Sequence, residues 1–381
     1  MTLRYLFLIG VIAITSSCSR TTYSGAETDN LIIYPSPPDT ARIQFLTRIS
    51  GSQDITGNRN SFSRFLFGEA ENIPINKPYG IAVHNGKILI CDTFIHGLVK
   101  IDMAQNTFEQ FIPGGKGELK VPVNCFVDEK GYLYIADSER KQIVVFDDQG
   151  NYFNSFGESE NFKPVDVFAH DNKIWVSNLA GHQVHVYSGD STFELLNTFP
   201  EPGTGETSLF SPTNLFVHDS NVYVTDFGDF KIKKYSFDGE FISSFGTYGQ
   251  GIGQLARPKG IAVDRDANLF VVDAGFENVQ IFNREGKLLM HFGGSYKGPG
   301  DMWLPAKVVL DYDNLRFFEK FVDPAYKLKY LVFVTNQFGP DKFNVYGAVE
   351  PLKNFKSEKS QAGGKNKKKP KKRSKVKQPM F

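Results

Sequence analysis

A proline that returns at a nearly constant interval constrains this chain more than any other feature. Pro78, Pro122, Pro164, Pro212, Pro258 and Pro305 are separated by 44, 42, 48, 46 and 47 residues. Periods of this length belong to repeat architectures, in which one unit cannot bury its apolar face alone. After each proline comes a short apolar run: GIAV, NCFV, DVFA, NLFV, GIAV, KVVL. A turn such as HNGK or DRDAN follows, and then a second run that ends in Asp92, Asp137, Asn178, Asp226, Asp273 or Asn336. A third run (QIVVFD, VQIFNR) and a fourth (NYFNSFG, EFISSFG) complete the unit. Four short β runs divided by turn residues make one propeller blade. The chain is therefore expected to be all-β, a six-bladed β-propeller of four-stranded blades with short helical insertions. The last unit has no fourth run after NVYGAVEPL, and ARIQFLTRIS at residues 41–50 is expected to supply it. An N-terminal strand would then close the ring and hide sheet edges that invite aggregation.

The units resemble NHL repeats, whose pattern runs from Pro through a GIAVD-like strand, an LYVAD-like strand and an IQVF-like strand to a closing Phe-Gly. The resemblance covers about Pro78 to Val349. Where that family often carries Asn, His and Arg after the Asp, this chain has Leu98, Gln142, Gln183, Lys231, Asn278 and Lys342, which weakens any inference of ligand binding through that rim. The PPD-x-x-RI-x-FL opening and the QFGPDKFNVYG ending are similar to bacterial lipoproteins of this type. Some of those are encoded beside multihaem cytochromes, so the resemblance implies an envelope protein partner of that kind.

The first residues carry one basic side chain, Arg4, and an apolar run from Leu6 to Ile14. That run is too short to span a bilayer and reads as a signal peptide over residues 1–17. Thr15-Ser16-Ser17-Cys18 resembles a lipobox, with Thr15 where Leu is usual, so Cys18 is the expected lipidation site. The alternative is a plain signal peptide with an incidental Cys. Residues 18–39 are then a lipidated linker, 40–355 the propeller and 356–381 a tail. Ser19 after the Cys fits outer-membrane sorting, and acyl chains would anchor the protein without a spanning segment. In an exported chain Cys91 and Cys125 lie where disulfides form. Both sit in strand-like runs at positions filled elsewhere by small or apolar residues, which favours buried free thiols and leaves pairing open.

What the units share is scaffold, so function is sought where they differ. Two residues after each anchor proline stand Gly80, Asn124, Asp166, Asn214, Gly260 and Lys307. The first strand of each blade lines the central channel, so Asn124, Asp166, Asn214 and Lys307 form a candidate polar ring. Oxygen donors suit a hard cation, and six-bladed lactonases and their relatives place a metal in that channel; calcium or zinc is the cofactor this implies, with Asn124, Asp166 and Asn214 as ligands. Against it, Lys307 adds positive charge, and Asn and Asp also serve as turn residues ahead of a strand. The Asp or Asn ending every second strand reads as a structural device, because it recurs in all copies. His84, His170 and His218 read as turn residues, and His182 and His185, three apart on a strand, point to opposite faces. The chain has no nucleophile elbow, P-loop or HExxH motif, and no catalytic residues are assigned.

Two inserts break the pattern. LRFFEKFV places Phe317, Phe318 and Phe321 at helical spacing before Asp323-Pro324, and NSFSRFLFG places Phe62, Phe65 and Leu66 on one side of a second short helix. Both are candidate partner patches, or covers for the propeller. From Lys356 to Lys377 there are eleven Lys or Arg and one Glu. Removing them from the 43 basic and 42 acidic residues leaves 32 and 41, a balance of about −9. Such a tail attracts polyanions. After export these are membrane headgroups or acidic envelope polymers rather than nucleic acid, and a lipid anchor plus a basic segment makes a two-point attachment. The sequence thus points to an envelope-anchored binding or assembly module. The alternative is a metal-dependent lyase or lactonase using the channel.

Overall fold

A computed structural model describes residues 31–57 and 71–352. The signal peptide, Cys18, the NSFSRFLFG insert with Phe62, Phe65 and Leu66, and the basic tail lie outside the described residues. Six sheets form the fold. Five have four strands in sequential antiparallel order, and the sixth has five. Each blade begins on its anchor proline: the inner strands are Pro78–His84, Pro122–Val127, Pro164–His170, Pro212–His218, Pro258–Val263 and Pro305–Asp311. Each inner strand packs beside the next, and the sixth returns to the first.

Closure runs as expected and then one strand further. Ile43–Ile49 pairs with Phe343–Pro351 as the fourth strand of blade 6. Ile33–Tyr34, inside the expected linker, adds a fifth strand through the Tyr34–Ile43 pairing. Sealing the ring with strands from both chain ends protects edges that open sheets expose. The cores lie between blades, and one cluster joins Leu46 and Ile49 to Ile81 and Ile90 of blade 1 and to Phe333 and Phe343 of blade 6. Burying a Leu, Ile or Phe side chain contributes roughly 1.5–3 kcal/mol relative to exposure. The N-terminal strand therefore stabilises the ring by apolar burial as well as by its hydrogen bonds.

The recurring Asp has the structural role its repetition implies. Asp92 accepts from the backbone N–H of Asn76 at 2.6 Å and Lys77 at 3.0 Å, just before Pro78. Asp137, Asp226 and Asp273 each do the same for the two residues before their own anchor prolines. Proline cannot donate to a ladder, so the carboxylate takes up the donors that precede it. His84, His170 and His218 flank two-residue hairpins, in which Asn85-Gly86, Asp171-Asn172 and Asp219-Ser220 all have positive φ. That is the turn geometry matching the strand twist.

The LRFFEKFV insert departs from its expected form. It folds as two successive 3-10 turns, Leu315–Phe317 and Glu319–Phe321, rather than one helix. Phe318 is 5% exposed and packs edge-on against Phe333 at 5.6 Å, so it belongs to the core and not to a partner patch. Phe317 packs against the same cluster, and Phe321 alone of the three is largely exposed. A short insert pinned by its central ring turns more tightly than a free helix would.

Candidate functional site

The ladder of every blade is irregular just after its anchor proline, with register shifts between Pro122 and Asn124, Pro164 and Asp166, and Pro212 and Asn214. Bulges re-aim side chains, and these bring the ring residues together. Asn124, Asp166 and Asn214 are fully buried, and Lys307 is nearly so. Their contacts run between blades. Asn124 Nδ2 donates to Val165 O at 2.7 Å, and Asn214 Nδ2 donates to Asp166 Oδ2 at 3.0 Å.

Lys307 settles the character of the ring. Its Nζ donates to Asp166 Oδ2 at 2.6 Å. Blades 3 and 6 are opposite in a six-membered ring, so this ion pair bridges the channel from wall to wall. The same Oδ2 accepts the Leu215 N–H at 3.0 Å, while Oδ1 accepts the Val167 N–H at 3.0 Å. At Gly80 an added Cβ would lie 2.5 Å from Asn124 Cα, and at Gly260 it would lie 2.7 Å from Lys307 Cα. Both contacts are with backbone, so these two ring positions admit no side chain without a shift.

This donor set does not fit a hard divalent cation. It contains one carboxylate, with both oxygens already accepting hydrogen bonds, and an ammonium stands where the cation would. Asn124 Oδ1 and Asn214 Oδ1 are buried without partners, but two amide oxygens beside a neutralised carboxylate are a weak set for calcium or zinc. Among the described residues no three His, Cys, Asp or Glu side chains gather closely enough to hold a metal.

The two sides of the ring differ. Away from the anchor prolines the channel is a cavity of about 280 Å³ with Lys307 among its lining residues. Its walls include Phe126, Phe168 and Phe216 from three successive blades, with ring centroids 4.5 and 4.9 Å apart. On the proline side, Lys259 Nζ stands 5.2 Å from the centre of the Tyr79 ring and donates to Gln337 Oε1 at 3.3 Å. Burial, with Asp166 nearby, pushes the Tyr79 hydroxyl up to about 12. Burial, then Arg257 and Lys77, pulls the Lys259 ammonium down to about 8. Lys77 Nζ lies 5.9 Å from the Phe338 ring. Large apolar side chains crowd this rim: Phe94 is 67% exposed, and Trp303 and Phe338 are each 48% exposed. Phe94 and Phe338 follow the second-strand ends that pair with Pro78 and Pro305.

Other singled-out residues are structural in their contacts. Cys91 and Cys125 are buried free thiols on adjoining blades; burial, then the hydrogen-bonded Cys125, pushes the Cys91 thiol well up. His182 Nδ1 faces Phe210 O, whereas His185 Nε2 faces Asn178 Nδ2, so the two rings do not converge. The proline-side rim was not singled out from the sequence. Its signal was one position away from the ring: directly after the anchor proline stand Tyr79 and Lys259, where the other blades have Val, Thr or Ala.

No family model and no curated protein sequence matches this chain. Among solved structures it is similar to a streptogramin B lyase, with a TM-score of 0.50 and 15% identity over 75% of this chain and 86% of that one. A protein of unknown function from Bacteroides thetaiotaomicron gives 0.54 and 16% over 81% and 76%. A gluconolactonase from Xanthomonas campestris gives 0.52 and 15% over 81% and 98%. At this identity the likeness establishes the six-bladed propeller fold and nothing about chemistry.

Proposed function

We propose that this chain is a binding or assembly module of the bacterial cell envelope, lipid-anchored at Cys18, in which the propeller presents its proline-side rim to an envelope protein. The observation that carries this reading is the Lys307–Asp166 bridge across the channel beneath a rim of exposed Phe94, Trp303 and Phe338. A channel whose one ring carboxylate is matched by its own lysine leaves no free carboxylate there for a metal, and a cluster of exposed aromatic side chains is what protein interfaces use as anchors. The NHL-like units and lipoprotein-like ends favour the outer membrane and a multihaem cytochrome as the partner class. Cys18 and the basic tail would act together at the membrane.

Photo-crosslinking separates rim from wall. Probes at Phe94, Trp303 and Phe338 should trap one envelope protein, whereas probes at Leu195 and Ile242, exposed on outer strands, should not. Equal trapping from both sets would sink the reading. The lyase or lactonase alternative draws on the resemblance to a streptogramin B lyase and a gluconolactonase. It would be installed by one stoichiometric calcium or zinc in the purified protein that is lost in Asp166→Ala and Asn214→Ala.

A further inference from the structure

We propose that the proline-side mouth of the channel is a binding site for a phosphate-class oxyanion, held between Lys77, Arg257 and Lys259. Lys77 and Arg257 occupy one repeat position, directly before the anchor prolines of blades 1 and 5. Lys259 follows Pro258 and reaches across blade 6 to stand over the Tyr79 ring of blade 1. Three cations thus converge on one sector of the rim. Among the described residues none of them makes an ion pair.

The charges facing Lys259 from the elements packed against it are Arg257 and Lys77, and both act to discharge it. The polar neighbours are the neutral Tyr79 hydroxyl and the Gln337 amide. Asp166, the carboxylate beneath, is already matched by Lys307. What the site lacks is an anion. A guanidinium offers a planar fork to an oxyanion and lysines offer point charges, the combination that suits phosphate. One carboxylate would offset one of the three charges, whereas a phosphate monoester carries nearly two at neutral pH. Phe338, largely exposed and beside Lys77, gives the apolar part of such a ligand a surface to lie on. The site adds ligand chemistry to the rim of the binding-module reading and rests on that reading only for its purpose; phosphate titration and partner crosslinking fail independently.

The test uses the full chain, so that the basic tail is common to every variant. Inorganic phosphate is titrated calorimetrically at constant ionic strength against chloride. The expected result is saturable phosphate binding, weakened about tenfold or more in Arg257→Gln/Lys259→Gln, as befits lost hydrogen bonds to a charged group. The exposed Lys77→Gln should weaken it severalfold, and Lys327→Gln/Lys329→Gln should leave it unchanged. Phosphatidic acid vesicles diluted in phosphatidylcholine separate the sources. Vesicle binding that falls in the Arg257 and Lys259 variant assigns a lipid headgroup, and vesicle binding that does not change assigns a free phosphate compound. A wild-type response to phosphate no different from chloride overturns the proposal, as does full phosphate binding by a folded Arg257→Gln/Lys259→Gln protein.

Discussion

Two lysines in this propeller are buried with carboxylates, and they do different work. Lys233 in blade 4 lies 3.1 Å from Asp226 and 2.8 Å from Asp229 and also donates to Ser208 O. Its acidic partners are four and seven residues away, within one hairpin. Lys307 meets Asp166 across 141 residues and across the channel. The first pair completes the local device that holds the residues before Pro212, since Asp226 also accepts the Phe210 and Ser211 N–H groups at 3.0 and 2.8 Å. The second pair joins opposite walls and touches no turn. Identical chemistry therefore serves a blade in one place and the ring in the other.

Double substitutions distinguish these roles. Asp226→Ala should cost the most, about 2–6 kcal/mol in urea unfolding, because it leaves Lys233 with Asp229 alone and strips the Phe210 and Ser211 N–H groups of their acceptor. Adding Lys233→Met should recover little of this, since the backbone donors before Pro212 remain without their acceptor. Asp166→Ala should also destabilise by about 3–5 kcal/mol because it leaves Lys307 buried without its one carboxylate, and Lys307→Met should restore the charge part of the loss but not the part due to the Val167 and Leu215 N–H groups. No recovery on adding Lys307→Met would mean that the stranded ammonium is not what Asp166→Ala costs.

Next in size is close approach within the ring. Gly80→Ala pushes a methyl against Asn124 backbone and should cost about 1–3 kcal/mol as overpacking. Gly205→Ala, whose added Cβ has nothing nearer than 4.0 Å, should fall within about 0.5 kcal/mol of wild type. A Gly80→Ala protein as stable as Gly205→Ala would mean that the ring is looser than its distances imply.

The smallest effect is a pH dependence inside a blade. Burial pulls the His185 imidazole down to about 4, below the unfolded value of about 6.5. The unfolded chain then binds the extra proton between these values. His185 therefore contributes stability that is complete above about pH 6.5 and is lost as pH falls toward 4. His185→Gln should flatten the urea midpoint over that window. A slope unchanged by the substitution would assign the acid sensitivity to other groups.

The blade plan was legible because it is periodic and local. Proline, a period-two apolar run, a turn and a closing Asp are each readable from neighbours in the chain, and they repeat in register. The ring residues were legible as a set for the same reason, but their use was not. Lys307 counted as charge working against a cation site, and what the sequence did not show is that its ammonium takes the cation's place on Asp166. The sequence leaves the Phe-rich insert open between partner patch and propeller cover, because helical spacing says which side chains share a face and not whether that face meets solvent. Phe318 met the core.

From the sequence alone came the number of blades, the strand that closes them, the structural role of the recurring Asp and the positions lining the channel. The blade count, the Asp role and the channel positions rest on short-range patterning, which backbone sterics and turn chemistry dictate before any long-range contact forms, and the closing strand follows from the last unit lacking a fourth run. Only the tertiary structure decided which ring side chains touch, that an ion pair spans the channel, and that Lys77, Arg257 and Lys259 share one mouth. These depend on blades separated by up to four repeats along the chain being carried around a circle, and no local interaction encodes that distance.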